Sequence, residues 1–522
     1  MTALPLTRPD GTLELPVPRE GLRAAAGELL AAGHRLALVA AHDDGAAGFH
    51  VVYAFAQATT DMRTELVVRV PRDDARVPSL AALSFPAGRF ERAVRDQFGI
   101  EPQGHPRPRR LVHHDHWPRG WYPMRRDAER APAFDRDEGT FSFVPVEGDG
   151  VYEIPVGPVH AGLIEPGHFR FSVVGETILR MKARLWFLHR GVEKLFEGRT
   201  PDQGVELAER VSGDTAVGHG LAYAMAVEGA LGLVVSEEDR LVRALLLELE
   251  RLHNHVADLG AMANDVGFGV VHTHAQRLRE ALLRSNAAVT GHRLLRGGIT
   301  VGGARVRGLP DPGAIASVAG EVADLVRITL GSSVVADRFT GTAVLGADAA
   351  ASMGALGYVA RASGVDVDAR RDHPAVDLGP TFEVCTATDG DVLARYTVRA
   401  REVAVSAALV ADLVARLDGR LGTGSAGAGA SGAGASGIGP AGGDVPSPTA
   451  PAGRGLALVE AWRGTLCHRV ELDAAGVLTR VAIADPSFFT WPALPVALAD
   501  TIVPDFPLAN KSFNQSYAGN DL

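Results

Sequence analysis

Histidine pairs and runs are the first groups in this chain that could hold a metal ion or move protons. They occur as His113-His114-Asp115-His116, His253-Asn254-His255 and His272-Thr273-His274. On a helix, with about 100° between successive residues, His253 and His255 point roughly 200° apart and cannot share one metal ion. The pair at 272–274 would need a ligand from another part of the fold. The run at 113–116 is predicted to be a solvated loop or strand edge, so no metal site is expected at any of them.

The two cysteines, Cys385 and Cys467, limit the redox chemistry of the chain. An iron–sulfur cluster or a cysteine-ligated zinc ion usually needs about three or four thiolates, so we expect this chain alone to hold neither. The sequence also contains no GxxxxGKS/T phosphate loop and no GxGxxG dinucleotide fingerprint. Any nicotinamide chemistry is therefore expected to belong to a partner protein.

Composition excludes other classes of function. The 522 residues carry a formal net charge of -10, which argues against nucleic acid as a partner. The basic cluster Arg107, Arg109 and Arg110 is expected to dock a protein instead. The N-terminus lacks the apolar core of a secretory signal. No segment reaches the roughly 18 uninterrupted apolar residues of a membrane-spanning helix.

The elements that would position functional groups fall into two predicted units, giving an α+β fold. Residues 1–126 form a small α+β domain and residues 127–150 a linker. The first unit has predicted helices at 24–32 and 87–98, the second of which Gly99 ends, and predicted strands at 34–42, 49–56 and 64–72.

Residues 151–522 are predicted to form a large, mainly helical bundle with small β hairpins. Predicted helices cover 175–197, 237–263, 276–293 and 312–330, with Ser236 as the N-cap of the second. A hairpin of strands at 455–464 and 466–473 is placed at the edge of the bundle. Residues 423–453 are almost entirely Gly, Ala, Ser and Pro, and we expect this insert to be disordered.

Several separated segments resemble one known family. The segments at 156–176, 188–200, 208–228, 247–268 and 510–522 resemble the large-subunit family shared by the 49-kDa (D) subunit of complex I and the nickel–iron hydrogenases. They are most similar to energy-converting enzymes such as formate hydrogenlyase. FERAVRDQFGIEPQGHP, at 90–106, resembles the 30-kDa (C) subunit. The chain is thus identified as a fused C/D subunit.

The sequence departs from the hydrogenases at the metal ligands. Hydrogenases of this family hold nickel and iron with two Cys-x-x-Cys pairs. The matching positions here are Ser212 and Thr215 in the first pair and Ser487 and Thr490 in the second. Neutral hydroxyls are poor ligands for soft, nickel-type metals. We therefore expect no nickel and no other cofactor bound by this chain.

The resemblance also implies roles for other residues. His168 matches a histidine that in complex I faces the quinone, but Gly213 stands where its tyrosine partner is expected. His219 has the spacing of a family Cys-x-x-x-His, and Arg463 matches an arginine of the metal pocket. A buried Arg463 would need an anionic partner, Asp214 or Asp485. A plain structural role for each remains open.

The resemblance gives the following set of site predictions. Direct roles in catalysis fall to His168, Arg463 and Asp214, while Ser212, Thr215, His219, Ser487 and Thr490 line the substrate pocket. Glu165, which matches a magnesium-binding glutamate in some relatives, is a weak metal candidate.

The implied function is that of an NADH-quinone-oxidoreductase-like or hydrogenase-like electron-transfer subunit. It would sit at the inner face of the cell membrane through its partners, a small iron–sulfur (B-like) subunit and membrane-arm subunits. An iron–sulfur cluster in that partner would deliver electrons to a quinone. The alternatives are a hydrogenase large-subunit homologue without nickel and a non-catalytic scaffold.

Overall fold

The computed structural model describes residues 5–130, 132–134, 141, 143–160, 164–421 and 453–522. The predicted disordered insert therefore lies outside the described residues, except for Gly453. Between residues 127 and 150 the described part of the chain forms neither helix nor strand. Among the described residues, no helix is both long and apolar enough to cross a membrane.

The N-terminal unit is built on a five-stranded sheet with the order β1-β2-β5-β4-β3. Every helix and strand predicted for this unit is found within two residues of its expected ends. Its elements are β1 (Leu6–Thr7), β2 (Leu13–Pro16), α1 (Leu22–Ala31), β3 (Arg35–Asp43), β4 (Phe49–Gln57), β5 (Met62–Val70), β6 (Arg76–Pro78), α2 (Phe85–Phe98) and β7 (Glu101–Gln103).

A three-stranded antiparallel sheet follows, and its last strand lies in the range 175–197, where a helix was expected. It consists of β8 (Val151–Val156), β9 (His168–Val174) and β10 (Thr177–Arg184). The helix prediction is wrong because β10 carries a bulge between Ile178 and Arg180. The bulge brings Ile178 and Met181 to the buried face, and this spacing of three residues imitates one face of a helix.

The helical bundle occupies the middle of the chain. Long helices α6, α7, α8 and α13 pack on one another, and Ser236 caps α6 as predicted, accepting the Asp239 backbone N–H at 3.0 Å. The elements here are α3 (Val192–Leu195), α4 (Pro201–Ala208), α5 (Ala216–Leu231), α6 (Glu237–Asp265), α7 (Gly269–Thr290), β11 (Ile299–Thr300), β12 (Gly303–Ala304), α8 (Pro312–Leu330), α9 (Ser333–Phe339), α10 (Ala347–Met353), α11 (Gly357–Ala362), α12 (Ala369–Asp372) and α13 (Val392–Leu421).

The predicted C-terminal hairpin is found, and a third strand extends it into a buried three-stranded sheet. Its strands are β13 (Arg454–Ala461), β14 (Gly464–Leu472) and β15 (Leu478–Ala484), with β14 in the centre. Every residue of β14 is buried, so the expected place at the bundle's edge is wrong. Short helices α14 (Pro486–Thr490), α15 (Ala493–Ala497), α16 (Phe506–Phe513) and α17 (Tyr517–Asp521) complete the chain. The α+β fold class is confirmed.

The N-terminal unit shares a hydrophobic core with this C-terminal region. The Phe90 ring of α2 lies 4.3 Å from Phe488 and 5.6 Å from Phe489, measured between centroids. Across the same boundary the buried Arg469 of β14 contacts Glu65 of β5 at 3.0 Å. Apolar and ionic contacts thus hold the N-terminal sheet against the C-terminal sheet.

The histidine run at 113–116 is a loop, but its first residue is not solvated. His113 retains 2% of its exposure and stacks on Trp117 with 4.4 Å between ring centroids. Burial lowers the pKa of His113 to about 3, so the ring is neutral near pH 7. The prediction of a solvated run is wrong here because aromatic side chains cover this ring.

Candidate functional site

The first hydroxyl loop lies between α4 and α5 and is organised around Asp214. The Asp214 Oδ1 atom accepts hydrogen bonds from Ser212 Oγ at 2.9 Å and from Thr215 Oγ1 at 3.1 Å. Arg463 donates to both carboxylate oxygens, at 2.6 and 2.7 Å. Of the two anionic partners left open for Arg463, the structure therefore pairs it with Asp214.

Arg463 is fixed from three directions at the turn between β13 and β14. Its Nε donates to the carbonyl oxygen of Asn514 at 2.6 Å, and its guanidinium carbon lies 3.9 Å from the Trp462 ring centroid. The Arg463 side chain retains 4% of its exposure, while that of Asp214 retains 40%. The ion pair therefore opens to the surface on its Asp214 side.

The ion pair stays charged near neutral pH. Desolvation alone would raise the pKa of Asp214, but Arg463 and the Ser212 and Thr215 hydroxyls outweigh it and hold this pKa well below its usual range. Asp214 is therefore an acceptor of hydrogen bonds and not a proton donor.

The second pair of hydroxyls, Ser487 and Thr490, lies within the short helix α14 and, with Asp485, is called the second hydroxyl loop below. Asp485 caps this helix by accepting the backbone N–H of Ser487 at 2.7 Å. The Ser487 hydroxyl accepts the backbone N–H of Ser516 at 2.9 Å, and Thr490 accepts the N–H of Leu356 at 3.2 Å. Both side chains are completely buried.

A serine near the C-terminus joins the two loops. Ser516 Oγ lies 2.8 Å from Ser212 Oγ in the first loop, while its backbone N–H reaches Ser487 in the second. Ser516 thus links Ser212 of the first pair of hydroxyls to Ser487 of the second. Sequence reasoning did not assign Ser516 a role, although it lies within the 510–522 segment that carried the resemblance.

A pair of buried histidines extends from Asp485. His219 Nε2 lies 3.0 Å from Asp485 Oδ2, and His219 Nδ1 lies 3.0 Å from His468 Nε2. Desolvation and the neighbouring His219 lower the pKa of His468 well below its usual value, so His468 is neutral. The sequence did not identify His468, because it lies on a distant strand.

His168 and Glu165 lie on the hairpin that precedes the bundle, apart from the ion pair. His168 Nδ1 is 3.1 Å from the carbonyl oxygen of Gly157, and its ring is half-buried. Glu165 accepts the backbone N–H of Ala518 at 3.0 Å. Within the described part of the chain, neither side chain hydrogen-bonds to the Asp214–Arg463 pair.

The donor set does not fit a nickel–iron centre. The four residues at the family's thiolate positions are hydroxyls, and each already hydrogen-bonds to protein atoms. Burial raises the pKa of Cys385 to about 11 and that of Cys467 to about 12, so both thiols keep their protons. Soft metals bind thiolates in preference to neutral hydroxyls.

Three protein-family models match successive parts of the chain. The model of the respiratory-chain NADH dehydrogenase 30 kDa subunit matches residues 15–133, and that of its 49 kDa subunit matches residues 265–429. The nickel-dependent hydrogenase model matches residues 190–259. Hydrogenase-4 component G of Escherichia coli is 32% identical over 486 residues, covering 91% of this chain and 81% of the relative.

The C/D subunit of NADH-quinone oxidoreductase from Phocaeicola vulgatus is 31% identical over 399 residues, covering 71% of this chain and 76% of the relative. The chain belongs to this family of fused complex I C/D and membrane hydrogenase subunits. Formate hydrogenlyase subunit 5 of Escherichia coli is 36% identical over 370 residues, which span 68% of this chain and 65% of that relative.

A solved structure shares the fold of the family. It is that of the membrane-bound sulfane sulfur reductase, described as an archaeal respiratory membrane complex. The TM-score is 0.62 at 25% identity, and the match covers 73% of this chain and 100% of that one. The relatives are thus subunits of membrane-bound oxidoreductase or hydrogenase complexes, which makes this chain oxidoreductase-related.

Proposed function

We propose that this chain is the electron-transfer subunit of a membrane-associated oxidoreductase that reduces a quinone-type acceptor without nickel. The Asp214–Arg463 pair supports this proposal, because it lies at the first hydroxyl loop and opens to the surface at Asp214. Because Arg463 offsets the charge of Asp214, this opening is not anionic, and negative charge can develop there on a reduced acceptor. The thiolates that bind nickel and iron in the family's hydrogenases are replaced by hydroxyls in this chain.

Arg463 and His168, the two side chains proposed to act on the acceptor, would have different roles. Arg463 would offset the negative charge of Asp214 beside the acceptor and keep its own charge, since Asp214 and the surrounding hydrogen bonds hold it in place. His168 directs Nδ1 to the Gly157 carbonyl, so its Nε2 is the atom that would meet the acceptor's carbonyl oxygen. The hydroxyls of Ser212 and Thr215, which bond to Asp214, would help to bind ordered water or the polar head of the acceptor.

Partners would complete the site. We propose that a small iron–sulfur subunit brings electrons to the open side of the ion pair and that membrane-arm subunits hold the complex at the inner face of the cell membrane. Any nicotinamide nucleotide would bind to a partner. The names of the hydrogenase-4 and NADH-quinone oxidoreductase relatives support such an assembly.

One observation favours a second candidate function, that of a non-catalytic scaffold. All four hydroxyls are already satisfied by protein groups, as expected of a site that has become purely structural. A hydrogenase homologue that has lost its metal would share this feature. Rates of quinone reduction by site variants distinguish an active quinone site from a scaffold and from a hydrogenase homologue without its metal.

The test is a quinone-reductase assay on the purified complex, with reduced methyl viologen as donor and a water-soluble quinone as acceptor. Replacing His168 with alanine should lower the rate at least about tenfold, at the low end for a lost acid–base group. His274→Ala is the matched control, because His274 is exposed and lies on α7. Equal rates in the wild type and both variants, with the complex intact, would favour the scaffold.

A further inference from the structure

Two histidines and an aspartate meet at the turn between β3 and β4 of the N-terminal unit. His42 and His50 face each other as cross-strand partners, and Asp44 lies in the turn that joins their strands. One ligand atom from each of the three residues lies within 4.8 Å of the other two. His42 Nδ1 is 3.0 Å from Asp44 Oδ1, and His50 Nδ1 is 2.8 Å from Asp44 Oδ2.

We propose that His42, Asp44 and His50 form a binding site for a divalent transition metal ion such as Zn²⁺. Two imidazoles and one carboxylate are ligands that zinc accepts, with the remaining position left to water. Zinc–ligand bonds of about 2.0–2.1 Å place the ligand atoms of a tetrahedral site roughly 3.4 Å apart. The ligand atoms here lie within 4.8 Å of one another, so zinc binding would shorten any of these distances by roughly 1.4 Å at most. The site shares no residue with the Asp214–Arg463 pair.

The ring of His50 is already oriented as a metal ligand would be. Its Nε2 lies 2.9 Å from Glu471 Oε1 on β14, so its Nδ1 is the nitrogen that faces His42 and Asp44. A carboxylate on the far nitrogen is the usual outer partner of a metal-binding histidine. His50 retains 1% of its exposure, so its ring has little freedom to turn away.

Two arginines stand near the cluster, and neither prevents a cation from binding. Arg69 contacts Asp44 Oδ2 at 2.7 Å, but 65% of its side chain is exposed and can move into solvent. Arg469 is already neutralised by its contacts with Glu65 and Glu471. A bound ion would replace the hydrogen bonds that Asp44 now makes with the Nδ1 atoms of the two histidines.

Location suggests what the ion would do. The turn belongs to the N-terminal unit, whereas Glu471 belongs to the buried C-terminal sheet. An ion held by His50 would fix the turn against that sheet and strengthen the boundary between the two parts of the molecule. The proposal is therefore a structural metal site, independent of the redox reaction.

Binding of Zn²⁺ to the full-length chain, freed of metal by a chelator, tests the site. Equilibrium dialysis should find about one tightly bound Zn²⁺ per chain, and Co²⁺ in its place should give a visible absorption spectrum. His42→Ala and Asp44→Asn should each weaken Zn²⁺ binding at least about tenfold. The two substitutions are made separately, so that misfolding of one leaves the other to decide.

The matched control is His116→Ala, which removes a ring from the histidine run at 113–116. It should leave Zn²⁺ affinity unchanged. The proposal is overturned if the wild type shows no saturable Zn²⁺ binding, if both folded site variants bind as tightly as the wild type, or if His116→Ala abolishes binding.

Discussion

At the scale of single residues, the Asp214–Arg463 pair limits what the candidate site can do. Asp214 keeps its negative charge throughout the neutral range, and Arg463 does not release a proton. Any proton that reaches a reduced acceptor must therefore come from His168, from water or from a partner subunit. The pair provides positioning and electrostatic potential.

Breaking this pair should cost stability. Asp214→Asn leaves Arg463 without its anion, and we expect the free energy of unfolding to fall by about 1–3 kcal/mol. That is below the 3–5 kcal/mol typical of fully buried pairs, because 40% of the Asp214 side chain is exposed. Urea unfolding measures the change. Asp366→Asn, in the exposed pair with Arg371, is the matched control and should cost less than about 1 kcal/mol.

At the scale of elements, the first turn of α5 is held by a side chain from α6. Glu250 accepts the backbone N–H groups of Val217 at 2.7 Å and Gly218 at 3.0 Å. Burial raises the pKa of Glu250 from 4.5 to about 8, despite these two hydrogen bonds. The start of the helix that follows the first hydroxyl loop thus depends on a carboxyl group that is mostly protonated near pH 7.

Because the folded-state pKa of Glu250 lies above its ordinary value, the folded chain binds this proton more tightly than the unfolded chain. The contribution of Glu250 to stability is full below about pH 4.5 and is lost as the pH rises towards about 8. Glu250→Gln removes this loss, so the stability of the variant relative to the wild type should increase with pH across that window. Urea unfolding at pH 5, 6.5 and 8 checks the trend, and a constant difference would contradict it.

The turn that carries Arg463 depends on the backbone of α11. Gly357 has φ +65°, and a Cβ atom there would lie 1.8 Å from the carbonyl oxygen of Arg463. Gly357→Ala should therefore destabilise the fold by about 2–4 kcal/mol and displace the turn. Gly341→Ala, with φ +69° and open space around the added methyl group, should cost only about 1 kcal/mol. Equal losses in thermal unfolding would mean that the contact with Arg463 contributes nothing.

At the scale of the whole molecule, ionic contacts couple the N-terminal sheet to the C-terminal sheet. Arg469→Met would leave Glu65, which is completely buried, without one of its two arginine partners. We expect the free energy of unfolding to fall by about 3–5 kcal/mol. Arg454→Met, whose side chain is 31% exposed at the same boundary, should cost about 1 kcal/mol or less. Fluorescence and circular dichroism should report one common transition, since the two parts share a core.

Local patterns predicted much of this architecture, and their failures have physical causes. The helix at 312–330 has the expected ends because the residues that end it lie next to it in the sequence: Asp311 caps its start, Pro312 is its first residue and Gly331 follows its last. The 30-residue helix α13 was not predicted, because Arg395, Arg399, Glu402 and Ser406 all face the interior and interrupt its apolar stripe. The bulge in β10 produced the opposite error, a helix where strands form.

The candidate site was predictable in its residue types but not in its partners. Each pair of hydroxyls occupies a short motif, three residues apart, which can be recognised in the sequence. The contacts are not local, because Arg463 and Asp214 are 249 positions apart in the sequence and Ser212 and Ser516 are 304 apart. Nothing in a local window chooses between Asp214 and Asp485. The catalytic and pocket roles of these residues stay predictions, as do the unit boundaries.

The rate of quinone reduction by the purified complex carrying Arg463→Lys tests the central claim most directly. Lysine keeps the positive charge but loses the two-pronged contact with Asp214 and the position over Trp462. We expect the wild-type complex to reduce quinone with no stoichiometric nickel in this chain, and the fully assembled variant to be about tenfold to a hundredfold slower. Equal rates for the two, or about one nickel per chain accompanied by hydrogen uptake, would contradict this expectation.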